Sequence, residues 1–247
     1  MDNTQPSAAQ AAPAPVMEAL GITKLYPGTV ALKDVDFAVY PGKVNVLIGE
    51  NGAGKSTLMK ILAGIERPTE GKVLMHGHEV HFVSTREAAS HGVGIIHQEL
   101  NTVPDMTIAE NLALGHEPVT RFGTLDRRAL SQQAKEKLAR IGADIDPQRR
   151  LGSLSIGMQQ MVEIARAVSE NARVLVLDEP TAALSRAEAQ QLYQLIGQMR
   201  ASGVGLIYIS HRMEEVWQLA DRVTVFRDGT HIGTARMQDI TPPDVVR

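Results

Sequence analysis

Apolar residues along the chain fall into short alternating or continuous runs and longer stretches of helical period. Order begins near Val16-Met17-Glu18-Ala19-Leu20, and Leu32, Val35, Phe37 and Val39 mark a strand over Ala31–Tyr40. Pro41-Gly42 turns the chain into the β-forming run Val44-Asn45-Val46-Leu47-Ile48, and Thr57–Ala63 follows with helical spacing. Pro68-Thr69-Glu70-Gly71 is another turn, and short strands are predicted at Lys72–Met75 and Glu79–Val83, which together suggest an antiparallel β layer. Ser84 with Glu87 opens a short helix as a capping box, and Gly92–His97 predicts a buried strand ending at Gln98.

Residues 99–171 change character, with helical patterns over Thr107–Leu114, Asp126–Ile141 and Ser155–Ser169. Strand pattern resumes with Val174-Leu175-Val176-Leu177, whose unbroken apolar run suits a strand buried on both faces. Ser185 with Glu188 caps a helix reaching about Arg200. A strand over Val204–Ser210, a helix over Met213–Ala220, and strands near Arg222–Phe226 and Thr230–Thr234 joined at Asp228-Gly229 complete the pattern. Alternating β and α elements predict an α/β fold with a mostly parallel sheet wrapped by helices, an antiparallel β layer and a helical insertion. No internal repeat is visible.

Between the strand at Val44–Ile48 and the helix at Thr57 lies Gly49-Glu50-Asn51-Gly52-Ala53-Gly54-Lys55-Ser56-Thr57, which fits G-x-x-x-x-G-K-[ST] in the strand–loop–helix setting that a phosphate-binding P-loop requires. Glycines let backbone N–H groups turn toward phosphate oxygens, and the helix start adds its positive dipole end. Lys55 is placed to reach the β- and γ-phosphates and the Ser56 hydroxyl to ligate Mg²⁺.

Asp178-Glu179 stands where a buried strand gives out, the place where ligands lie in open α/β sheets. Beside a P-loop, the first carboxylate is predicted to help hold Mg²⁺ through water and the second to act on the attacking water. Gln98 and His211 each directly follow an apolar β run, so that their side chains can converge on the same sheet edge. Gln98 is a candidate Mg²⁺ ligand and γ-phosphate sensor, and His211 a candidate to hold the γ-phosphate or the water. Ser155 can cap the helix after Leu154, leaving free N–H groups as a second anion site.

The 247 residues suffice for one large domain or two small ones, and 43% hydrophobic with 21% charged residues is ordinary for a soluble globular protein. Residues 1–15, rich in Ala, Gln and Pro, are read as a disordered extension. A net charge of −3 gives no electrostatic case for nucleic acid. Without cysteine there are no disulfides or thiolate metal sites. No apolar run is long enough to span a bilayer and the N-terminus lacks a signal-peptide pattern, so a membrane link is expected only through a partner.

In order and spacing, these motifs over about residues 17–236 resemble the nucleotide-binding domain of ATP-binding cassette (ABC) transporters. The resemblance implies a P-loop NTPase (RecA-like) core over residues 16–98 and 172–236 with a helical insertion over 99–171, and ATP with Mg²⁺ as ligands. It makes Gly49, Asn51, Gly52, Ala53, Gly54, Lys55, Ser56 and Thr57 the Walker A contacts and Val174–Asp178 the Walker B strand. By the same resemblance Glu179 is the catalytic glutamate, Gln98 the Q-loop glutamine and His211 the switch histidine. Tyr26 sits where an aromatic stacks on adenine, although by itself it reads as a strand-end core tyrosine. Ser155 and Gly157 fall at the signature that closes over a γ-phosphate bound by an opposing cassette. Two positions depart from the common pattern: LSIGM replaces LSGGQ, through Ile156 and Met158, and the loop after Walker B ends in Ser185 rather than Asp. Ile156 adds bulk where backbone should approach phosphate.

LSIG-x-QQMVEIA, IHQELN, MTIAENL-x-LG and YISHRMEEV further resemble the first of two cassettes in the tandem ATPases of bacterial monosaccharide importers, the ribose type most closely. That implies an ATPase subunit on the cytoplasmic face of the bacterial inner membrane. Its implied partners are a second cassette, in a longer polypeptide or by homodimerisation, an integral-membrane sugar permease and, indirectly, a periplasmic sugar-binding protein. The permease would be received on the Gln98 loop and the helices of residues 99–130, and residues 237–247 would begin a linker to the second cassette. Import of another cargo such as nucleosides, and a regulatory cassette that does not turn over, remain alternatives. A cassette acting on ribosomes or DNA would show basic insertions or coiled-coil arms, which are absent.

Overall fold

The computed structural model describes residues 14–96, 100–168 and 172–241. In chain order, β1 (Met17–Tyr26), β2 (Thr29–Val39), β3 (Val44–Ile48), α1 (Lys55–Leu62), β4 (Glu70–Met75), β5 (His78–Val80), α2 (Thr85–Ser90) and β6 (Val93–Ile96) form the first part. Three helices follow, α3 (Ile108–Ala113), α4 (Arg127–Arg140) and α5 (Ile156–Val168). The rest comprises β7 (Val174–Asp178), α6 (Arg186–Ala201), β8 (Gly205–Ile209), α7 (Met213–Leu219), β9 (Arg222–Arg227) and β10 (Thr230–Arg236).

The strands make two sheets. An antiparallel sheet runs β2-β1-β4-β5, and a six-stranded sheet runs β10-β9-β3-β8-β7-β6, parallel except for the β9–β10 hairpin. The apolar runs in the parallel strands serve two cores at once. In β7, Val174 and Val176 face one cluster while Leu175 and Leu177 face the other. In β8, Ile207 and Ile209 divide in the same way from Leu206 and Tyr208. A strand covered on both faces cannot alternate apolar with polar, so these segments read as continuous hydrophobic runs. One cluster packs Leu58, Met59, Ile61 and Leu62 of α1 between the two sheets, and the other lies under α3 to α7.

Strand register fixes where the chemistry falls. Asp178 pairs with Ile209, Leu47 also pairs with Ile209, and Ile96 pairs with Leu177. Four parallel strands therefore deliver their carboxyl ends to one sheet edge. Residues 237–241 run on from β10: a 3₁₀ turn spans Met237–Asp239, the Met237 amide donates to Asp221 O at 3.0 Å, and Met237 and Ile240 pack on the core. Residues 1–13 of the predicted N-terminal extension lie outside the described residues.

Candidate active site

The P-loop turns between Ile48 and Lys55, and α1 begins with Gly54 at its N-cap, where no side chain bonds the first-turn amides. Those amides are left to face whatever lies in the loop. Gly54 has φ +93, and a Cβ there would fall 2.5 Å from Leu32 Cδ2 and 2.7 Å from Ala31 O. Only glycine allows both the left-handed backbone and the seating of the loop against β2. Ala53 is buried, while Asn51, Gly52 and Ser56 are exposed on the outer side. The Lys55 ammonium donates to Gly49 O at 2.7 Å and Glu50 O at 2.9 Å, which folds it back over the loop with one of its three protons to spare. Burial pulls its pKa below the ordinary lysine value, against the opposing pull of the Glu179 and Asp178 carboxylates. Both acids thus sit close enough to act on the P-loop cation.

Asp178 is the last residue of β7, and Glu179 follows with φ +46. A left-handed non-glycine residue is strained and persists only where its surroundings fix it. Here the Glu179 amide donates to Ile209 O at 3.1 Å across the strand ends. The strained turn carries the carboxylate to His211, whose Nδ1 lies 3.1 Å from Glu179 Oε1. His211 is mostly exposed and Glu179 mostly covered, so the pair opens outward from the sheet edge. Lys55, Asp178, Glu179 and His211, from three separate strands, share one edge. Gln98, predicted to join them, lies outside the described residues.

Tyr26 ends β1 and is not a core residue: it is 38% exposed. Its hydroxyl donates to Glu66 Oε2 and also meets the Thr57 side chain in the first turn of α1, while the Lys24 ammonium stands 5.2 Å from its ring centroid. Partial burial and the Glu66 carboxylate push the phenol pKa up. The ring is thereby anchored beside the P-loop by a residue, Glu66, that the sequence did not single out.

The signature segment is farther from expectation. The Ser155 hydroxyl accepts from Met158 N at 3.2 Å, as an N-cap should, but donates to Glu188 Oε1 at 2.9 Å. Glu188 belongs to the start of α6, where its other oxygen accepts from Ser185 N at 2.8 Å in a capping box. The anion site expected to lie open at this helix start is therefore faced by a carboxylate from the chain itself. Gly157 makes room for it, since a Cβ there would sit 2.3 Å from Glu188 Oε2, whereas Ile156 points outward at 59% exposure. Gly157→Ala is expected to displace the Glu188 side chain. The lost capping bond costs about 1 kcal/mol, and removing a helical glycine returns about the same. Urea denaturation should show a net change within about 1 kcal/mol, whereas a loss several times larger would show that the backbone, not the carboxylate, is crowded.

Behind the strand tips lies one more carboxylate that sequence reasoning passed over. Glu215 in the first turn of α7 is 3% exposed and bonded to Thr181, Ser210, Tyr208 and Arg212. Its only sequence signal is an acid pair, Glu214-Glu215, of which helical spacing turns one inward.

The P-loop, the histidine following the neighbouring strand and the carboxylates ending the strand beyond it belong together in one class of nucleotide-binding protein. Residues 32–182 match the ABC transporter family, and the chain belongs to that family. Over 94% of its length it is 49% identical to the ribose import ATP-binding protein RbsA of Rhodopirellula baltica, covering 45% of that protein. The chain spans about half the length of the curated relatives it matches. Among solved structures it resembles a nucleotide-free ATP-binding cassette from an ABC transporter, with TM-score 0.83, 26% identity and coverage of 94% of this chain and 97% of that one. It also resembles a dimeric bacterial ABC transporter cassette, with TM-score 0.77, 25% identity and coverage of 90% and 98%. The fold is that of the P-loop NTPase cassettes. Among the described residues no helix is long and apolar enough to cross a membrane.

Proposed function

We propose that the chain is the ATP-hydrolysing part of a bacterial ABC importer for a monosaccharide of the ribose type, working at the cytoplasmic face of the inner membrane. The observation that carries this is the gathering of Lys55, Asp178, Glu179 and His211 at one sheet edge, with both carboxylates acting on Lys55 and His211 3.1 Å from Glu179. The P-loop amides and Lys55 bind the phosphates of ATP, and Tyr26 supports the adenine. Glu179 takes a proton from the attacking water, and His211 holds the γ-phosphate and that water in line. Ser56 and Asp178 offer hydroxyl and carboxylate oxygens, the hard donors that suit Mg²⁺, with Gln98 as a further ligand by its place in the sequence. Bound there, Mg²⁺ supplies charge neutralisation for the phosphates.

Ser155 and Gly157 complete the site of an opposing cassette, supplied by a longer polypeptide or by a second copy. Closure of the pair drives a sugar permease docked on the Gln98 loop and the helices of residues 99–130, fed by a periplasmic sugar-binding protein. The sugar assignment rests on the signature and flanking motifs and on the similarity to the ribose import protein. ATP hydrolysis measured against protein concentration tests the two-cassette site. In the dilute range a doubling of the chain should raise the rate about fourfold, and a rate strictly proportional to concentration would mean that one cassette suffices. In vesicles carrying the permease, ribose-loaded binding protein should raise that rate, and indifference to ribose would overturn the cargo.

A further inference from the structure

We infer that Glu215 is a positioning residue for hydrolysis, which rests on the proposed roles of Glu179 and His211: its buried carboxylate locks the loops that carry them into one unit. Oε1 accepts from Thr181 Oγ1 at 2.6 Å and lies 3.2 Å from Arg212 Nη1, while Oε2 accepts from Tyr208 OH at 2.9 Å and Ser210 Oγ at 2.7 Å. A carboxylate has about four acceptor positions, and these partners, with the Tyr193 hydroxyl also on the carboxylate, leave none open. Thr181 stands two residues after Glu179, and Ser210 stands directly before His211. The Ser210 hydroxyl also accepts from Arg212 N at 3.0 Å, so the residues on both sides of His211 are held.

Elsewhere the two loops meet through the Glu179 amide on Ile209 O and the Glu179–His211 contact. Within its own turn the Glu179 carbonyl accepts from Ala182 N at 3.2 Å. Glu215 adds a tie to the other loop through Thr181, and together these give the over-determination that a strained active residue needs. A buried carboxylate is a poor choice for packing alone, because apolar side chains of similar volume fill such places at least as well. Its use here is directional. It joins the segment after β7 to the segment after β8 at a fixed separation, so that the carboxylate and the imidazole keep one geometry while ATP binds and leaves. A positioning role also predicts the kinetic signature: the P-loop is untouched, so binding is retained while turnover suffers.

The test is a double-mutant cycle on steady-state hydrolysis by this chain at saturating MgATP. Glu215→Gln should lower kcat at least about tenfold with KM for ATP within about twofold. Thr181→Val, which removes a hydroxyl at constant shape, should act in the same direction more weakly. On a Glu179→Gln background, Glu215→Gln should cost much less than it does alone, because the Glu179–His211 geometry it holds has already lost the carboxylate. A core variant of matched melting temperature, Leu138→Ala in α4, should leave kcat per folded molecule unchanged. Additive losses in the cycle, or a kcat for Glu215→Gln no lower than for Leu138→Ala, would overturn the inference while leaving the hydrolytic site intact. A Glu179→Gln single variant with the full wild-type rate would instead overturn the hydrolytic role first, and this inference with it.

Discussion

Replacing Lys55 with alanine is expected to weaken MgATP binding by about 3 kcal/mol, on the order of a hundredfold, because it strips a desolvated cation from the phosphate cradle. The lysine sits over the loop with bonds to Gly49 O and Glu50 O, so its charge is already oriented before a ligand arrives. Removing it also leaves Asp178 and Glu179 without the P-loop cation that opposes them, and a triphosphate brought to that edge then meets repulsion on top of a lost bond. Calorimetric titration with MgATP reads this directly, with circular dichroism to confirm an unchanged fold. An affinity within a few-fold of wild type would remove the P-loop assignment.

Replacing Glu179 with glutamine should do the reverse, keeping ATP while stopping its turnover. Loss of a general base lowers rates by about a hundredfold to ten-thousandfold, and the amide cannot take a proton from water. The substitution is isosteric, so the turn at φ +46 and the amide bond to Ile209 O survive it. With less negative charge beside the phosphates, ATP affinity should hold or rise. Phosphate release under multiple turnover, set beside calorimetric binding, separates the two effects. Wild-type turnover would mean that another group activates water.

The parts of the site that a reader of the sequence could see are those set by local covalent order. A glycine-rich turn between a strand and a helix, an acid pair at the end of Val174–Leu177 and a histidine after Val204–Ser210 each declare their position because a buried strand must end somewhere polar. Strand register then brings them level, with Asp178 beside Ile209 and Leu47 beside the same residue. The first strand was only half visible. Its pairing with β2 and β4 is interrupted by irregularities between Ala19 and Leu25, and Gly21 has φ +60, so apolar alternation breaks before Tyr26.

Glu188 and Glu215 were invisible for a different reason. Each acts on a segment more than thirty residues away, Ser155 in one case and Thr181 in the other, and only the packing of α6 on α5 and of α7 under the strand tips brings them there. In sequence Glu188 is an ordinary capping-box acid. In the fold the same carboxylate also accepts from the Ser155 hydroxyl, so an anion brought to this helix start would have to compete with it or move it. Tyr26 by itself reads as a strand-end core residue, and only the fold shows it exposed, because its anchor, Glu66, lies beyond α1.

The central claim is that strand tips from separate parts of the chain converge on a single triphosphate. Its most direct test is a structure of this chain with Mg²⁺ and a non-hydrolysable ATP analogue. The expected result has the γ-phosphate within hydrogen-bonding distance of Lys55 Nζ and His211, with Glu179 facing its open side. An analogue bound away from the P-loop, or bound there with His211 and Glu179 turned out of reach of the γ-phosphate, would contradict it.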